Sequence, residues 1–108
     1  MPVYRFDGFE FDSATGELDR DGRCVRLRPQ PARVLEHLLV RHGQLVSRDE
    51  LRRAIWPEGT YVHYDYGLSS CIKQIRAALA DGQSAEGYIE TLVKRGFRFL
   101  PPVRRTGG

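Results

Sequence analysis

Apolar positions along this chain change period four times, and each change marks an element. Tyr4 and Phe6 alternate with Arg5 and Asp7, and Phe9 and Phe11 alternate with Glu10 and Asp12. A period of two is that of a half-buried strand. Asp7-Gly8 and Asp21-Gly22 are two-residue hairpin signals, and Ser13-Ala14-Thr15-Gly16 is a second turn. Strands around Leu18 and over Cys24-Val25-Arg26-Leu27 complete a predicted antiparallel meander with one apolar face. Pro29-Gln30-Pro31 then suits the first turn of a helix. Val34, Leu35, Leu38 and Leu39 follow at helical spacing, and Gly43 supplies the stop. This helix is expected to be the hub of the core.

A short strand at Leu45-Val46-Ser47 leads into a second helix through Ser47-Arg48-Asp49-Glu50, a capping box in which the Ser47 hydroxyl and the Glu50 carboxylate each serve a free backbone amide. Leu51, Ala54 and Ile55 form its expected buried side, and Trp56-Pro57 closes it. A loop of about ten residues, rich in tyrosine, precedes a third helix over about Gly67–Ala80, with Asp65 or Ser69 as its cap and Asp81-Gly82 as its end. Tyr88–Leu92 and Phe97–Leu100 read as a hairpin around Val93-Lys94-Arg95-Gly96. Pro101-Pro102 stops the last strand, which makes 1–103 the expected domain and 104–108 a tail or linker.

On a wheel drawn at ~100° per residue, Leu68, Ile72, Ile75 and Leu79 share one side of the third helix. The other side carries Tyr66 at the entrance, then Ser70, Lys73, Gln74 and Ala77, with Arg76 on a flank. That face holds no acid. It combines small residues for close approach, cations for phosphates and guanines, and an amide suited to adenine edges. Lys94, Arg95 and Gly96 form a compact basic turn followed by Arg98, a chemistry suited to a minor groove or its phosphates. Charge is distributed to match: residues 1–22 sum to −4, 23–66 to +3 and 67–108 to +4. An acidic front and a basic back present one face to a polyanion.

Composition removes the competing classes. With 108 residues, 41% hydrophobic and 29% charged, the chain is one ordinary globular domain. No apolar run approaches the ~18–20 residues of a membrane span, and the acidic start is unlike a signal peptide. Cys24 and Cys71 are far apart and outside any CxxC, so neither zinc nor a disulfide is expected. His37, His42 and His63 belong to no ligating or catalytic spacing, so no metal, cofactor or enzyme activity is expected. A winged-helix protein-interaction module is the alternative, with the tyrosine-rich loop as its anchor; the acid-free helix face and the basic turn speak against it.

The order of elements and the runs Leu45–Leu51, Trp56-Pro57, Ile72–Leu79, Tyr88–Leu92 and Gly96–Phe99 resemble the effector domains of the OmpR/PhoB class. Within that class the chain is most similar in style to CadC/ToxR-type regulators that lack a receiver domain. The likeness covers about residues 4–103. It implies an α+β winged helix-turn-helix with a four-stranded antiparallel N-terminal sheet, three helices and a C-terminal hairpin wing. It also implies a cytoplasmic bacterial transcription regulator that puts its third helix in the major groove of double-stranded promoter DNA and its wing in the minor groove. Lys73 and Arg76 match phosphate-contacting positions, Gln74 a base-reading position, and Lys94 and Arg95 the wing tip. Trp56 matches a backbone approach, and Tyr61, His63 and Tyr64 fall in a segment that in some members touches RNA polymerase. A single domain reads few base pairs, so a monomer in solution and a dimer on repeated half-sites are expected. Gln74 and Ala77 stand where many members are basic, and Phe97 where many carry tyrosine.

Overall fold

The computed structural model describes residues 3–55, 64–80 and 88–106, the side chains of 64–66, 80 and 106 excepted. Trp56, Pro57, Tyr61, His63 and the expected stop at Asp81-Gly82 lie outside the described residues, as do the side chains of Tyr64, Asp65 and Tyr66.

The N-terminal meander forms as its alternation requires. Strands β1 (Val3–Phe6), β2 (Phe9–Asp12), β3 (Glu17–Arg20) and β4 (Arg23–Arg26) pair antiparallel in sequence order. Both two-residue turns have the positive φ at each position that matches strand twist, with Asp7 at 45° and Gly8 at 82°, and Asp21 at 50° and Gly22 at 82°. Tyr4 lies opposite Phe11, Phe6 opposite Phe9, and Phe11 opposite Leu18. All five are buried, so one face of the sheet is a continuous apolar surface.

One boundary differs from the expected tail. Arg104–Thr106 form β8, which pairs antiparallel with β1 and makes the sheet five-stranded in the order β4-β3-β2-β1-β8. The unpaired edge of β1 supplies main-chain donors and acceptors to any extended segment brought beside it, whatever its composition. Such recruitment leaves no hydrophobic signal in the sequence.

Helix α1 (Pro29–Val40) lies under the sheet and packs against the two later helices. Val34, Leu35, Leu38 and Leu39 are all 1% exposed or less, which makes α1 the centre of the core, and Gly43 follows the helix at φ 79°. Strand β5 (Leu45–Ser47) runs directly into α2 (Arg48–Ile55), and α3 (Tyr64–Ala80) begins about three residues earlier than its expected start. Asp65 therefore lies inside the helix. In α2, Leu51 and Ile55 are buried but Ala54 is exposed; it sits ~100° from Ile55 on an eight-residue helix that has only one narrow apolar side. Strands β6 (Ile89–Leu92) and β7 (Gly96–Phe99) form the C-terminal hairpin, and β5 adds to it in the order β5-β7-β6. Phe99 is fully buried, and Phe6 meets it edge-on at 5.0 Å, while Tyr88 meets Phe6 and Phe9 edge-on, so aromatic contacts join the two sheets.

The capping box is half realised. The Glu50 amide donates to Ser47 Oγ at 3.0 Å, but the Glu50 carboxylate turns away, to His37 Nε2 at 2.6 Å and to the Arg41 guanidinium. Two bonds, to a histidine of α1 and to the arginine that caps it, replace the single bond the carboxylate would make to a backbone amide. The His37 bond, and after it Arg41, holds the Glu50 carboxyl below its ordinary value of 4.5. A carboxyl lowered on folding stabilises the fold fully above that ordinary value and ceases to do so as pH falls through the folded one. Glu50→Gln is therefore expected to melt lower than the parent at pH 7, and the gap should narrow as pH falls below 4.5 and through the lower folded value. Melting curves from pH 7 to pH 3 check this; a gap independent of pH would assign the loss to packing.

Candidate nucleic-acid interface

Helix α3 buries Leu68, Cys71, Ile72, Ile75 and Leu79 against the core. That fixes its rotation and leaves Lys73, Gln74 and Ala77 exposed and Ser70 partly so. Cys71 belongs to the same apolar stripe, where burial pushes its thiol up to about 11. Both cysteines are free. Gln74 Nε2 donates to Ser70 Oγ at 3.1 Å, so the two polar side chains lie along one line of the outer face. No acidic side chain occurs on this face between Gly67 and Leu79.

The hairpin projects beside this helix. Val93, Lys94 and Arg95 make its turn, with Lys94 at φ 65°, and all three are exposed. Lys94 and Arg95 thus sit together at the tip, as the sequence suggests. The other two arginines of the expected DNA face are tied within the protein. Arg76 Nη2 donates to the Ile89 carbonyl at 2.9 Å and to Thr91 Oγ1 at 2.7 Å, joining α3 to β6. Its Nε is buried without a partner among the described residues. Arg98 reaches across to Glu90, with Nε to Oε1 at 2.9 Å, from the strand position directly opposite. Arg76 thus places the wing relative to the helix, and Arg98 ties the two strands of the wing to each other.

Gly96, expected at the basic tip, is instead buried in β7 opposite Ser47. A Cβ on it would stand 2.0 Å from the Val46 carbonyl oxygen. Arg48, at the start of α2, lies over the Phe97 ring with its guanidinium carbon 5.6 Å from the centroid. A phenylalanine at 97 offers a face to that cation, a partnership the sequence alone did not indicate. The sequence clue was available only in part: basic residues flank both elements, but nothing in their spacing says which are committed internally. Tyr64 and Tyr66 are helical rather than in a loop. Of the described residues, no His/Cys/Asp/Glu group suits a metal ion and no helix is long and apolar enough to cross a membrane.

This combination of folded elements has close counterparts. Residues 22–99 match the family described as "Transcriptional regulatory protein, C terminal". The transcriptional regulatory protein KdpE of Mycobacterium tuberculosis is 34% identical over 101 residues, covering 92% of this chain and 43% of that protein. The DNA-binding domain of Escherichia coli CadC superposes with a TM-score of 0.85 at 26% identity, covering 98% of each chain. That of Klebsiella pneumoniae RstA, solved in complex with RstA box, gives 0.72 at 23% identity over 91% of this chain and 96% of that one, a likeness of fold. The chain spans less than half the length of the curated relatives it matches. The chain belongs to the family of C-terminal domains of transcriptional regulatory proteins, as a winged helix-turn-helix of the OmpR/PhoB type.

Proposed function

We propose that this domain binds double-stranded promoter DNA sequence-specifically, with the outer face of α3 in the major groove and the tip of the β6–β7 hairpin at the adjacent minor groove. The observation that carries this reading is the acid-free strip of exposed Lys73, Gln74 and Ala77 and part-exposed Ser70 beside the exposed pair Lys94 and Arg95. Lys73 and the wing pair supply phosphate contacts, which position a protein without reading sequence. Gln74 and Ser70 read base edges, and Ala77 permits close approach. Arg76 acts at one remove, holding the wing at a fixed offset from the helix through Ile89 and Thr91, and Arg98 braces the hairpin itself through Glu90. The RstA DNA-binding domain, of the same fold, was solved in complex with RstA box, which supports DNA as the partner.

A single domain covers few base pairs, so two copies on repeated half-sites strengthen binding. The segment from Glu58 to Tyr66, including Tyr61, His63 and Tyr64, is proposed to meet RNA polymerase, and Trp56 to approach the DNA backbone. A cytoplasmic location follows from a DNA partner.

Selection from a randomised duplex pool at about physiological salt tests the central reading. Enrichment of a repeated motif is expected. Gln74→Ala should change the preferred base at one position of each half-site, removing about 1–3 kcal/mol of discrimination there, while total affinity changes less. Retention of the parent's motif by that variant would remove Gln74 from base reading.

A further inference from the structure

One cavity lies apart from the surface just described. It is a depression of about 600 Å³ walled by the β2–β3 turn, the β4–α1 connection and the first turn of α1. No residue of α3, β6 or β7 lines it. Three arginines do, Arg26, Arg28 and Arg33, and no acidic residue is among the lining residues. Arg28 and Arg33 are exposed, and neither has an ion-pair partner among the described residues.

The walls are held by the backbone. Leu27 N–H donates to the Gly16 carbonyl at 2.8 Å, and Gly16 N–H to the Asp12 carbonyl at 2.8 Å. Arg26 Nε donates to the Thr15 carbonyl at 3.2 Å, which anchors one guanidinium to the turn. The Asp12 carboxylate is engaged by the Ala14 amide at 2.9 Å. Three like charges around one basin repel each other until an anion enters. Guanidinium forks match phosphate oxygens in pairs, and a depression of this size is in the range of small-molecule sites.

We propose that this arginine-walled depression binds a small anion carrying two or three linked phosphates, of the nucleoside polyphosphate class, at a site separate from the DNA-contacting face. Linked phosphates offer more oxygens to several guanidinium forks than one phosphate does. This goes beyond DNA recognition and does not depend on it.

Calorimetric titration of the 108-residue chain with pyrophosphate and with ATP tests the proposal. Saturable binding of both is expected, weakened at least tenfold in Arg28→Ala/Arg33→Ala. The Arg28→Lys/Arg33→Lys variant keeps the charge, loses the fork, and should fall between. Lys94→Ala/Arg95→Ala should bind pyrophosphate as the parent does. Excess duplex DNA separates the two sources of phosphate: pyrophosphate binding that persists with duplex bound supports the small-anion site. Displacement by duplex would make the basin a backbone contact and overturn the proposal. Absence of binding at millimolar pyrophosphate, or binding that survives in both double variants of Arg28 and Arg33, would also overturn it.

Discussion

Gly96→Ala is expected to lower the melting temperature by about 15 °C or more, the largest loss of stability from adding one methyl group. The new Cβ would lie 2.0 Å from the Val46 oxygen, 2.9 Å from the Val46 carbonyl carbon and 2.8 Å from Ser47 Cα. All three are main-chain atoms of β5, so no side-chain rotation relieves the overlap. Gly96 also sits at φ 149°, a conformation that residues with a Cβ avoid. Overpacking and backbone strain each cost about 1–3 kcal/mol. Together they reach about 3 kcal/mol or more, and a domain this size loses ~4–8 °C per kcal/mol. Relief requires β5 and β7 to separate, which would also move the wing away from the start of α2. Gly22→Ala is the control: its φ is 82°, but nothing stands within 4 Å of the added atom. That variant should lose only about 1 kcal/mol. Thermal melts of the two variants decide the matter, and equal losses would show that the β5–β7 approach is not what constrains residue 96.

The largest expected effect on DNA binding belongs to Lys94→Ala/Arg95→Ala. Both side chains are exposed at the hairpin turn, so their removal should leave stability within about 0.5 kcal/mol of the parent. Each phosphate neutralised contributes roughly 0.9 to the slope of log affinity against log salt. Two lost contacts should therefore flatten that slope by about two and weaken binding by about 10–100-fold near 0.1 M salt. The loss should be similar for cognate and random duplexes, because phosphate contacts carry no base information. That uniformity separates it from Gln74→Ala, which is expected to alter preference. Anisotropy titrations at several salt concentrations measure both quantities; an unchanged slope would take the wing tip off the DNA.

Much of the architecture was legible because it is written in local chemistry. The Asp-Gly pairs at 7–8 and 21–22 favour the positive φ values their turns adopt. The leucines of α1 and the apolar stripe of α3 repeat at a period only a helix places on one side. Once that stripe is buried, the outward position of Lys73, Gln74 and Ala77 follows from geometry. The same logic found the exposed wing tip, since Lys94 and Arg95 occupy a turn between two strands.

What stayed hidden was partnership. Arg76 and Lys73 are both cations on α3, yet one is bound to β6 across a separation of 13 to 15 residues and the other projects into solvent. Glu50 has the spacing of a capping residue, but its carboxylate meets His37 and Arg41 because α1 lies beside α2. Gly96 reads as a flexible tip residue and is instead where two backbones touch. The elements and buried faces, and through them the family, follow from residue order, since backbone preference and hydrophobic period act over a few neighbouring residues. Which charges remain exposed for a partner, and that Arg104–Thr106 extend the sheet, came from the folded arrangement. Ion pairs and edge-strand pairing depend on groups distant in the chain, and no local pattern records who will stand opposite.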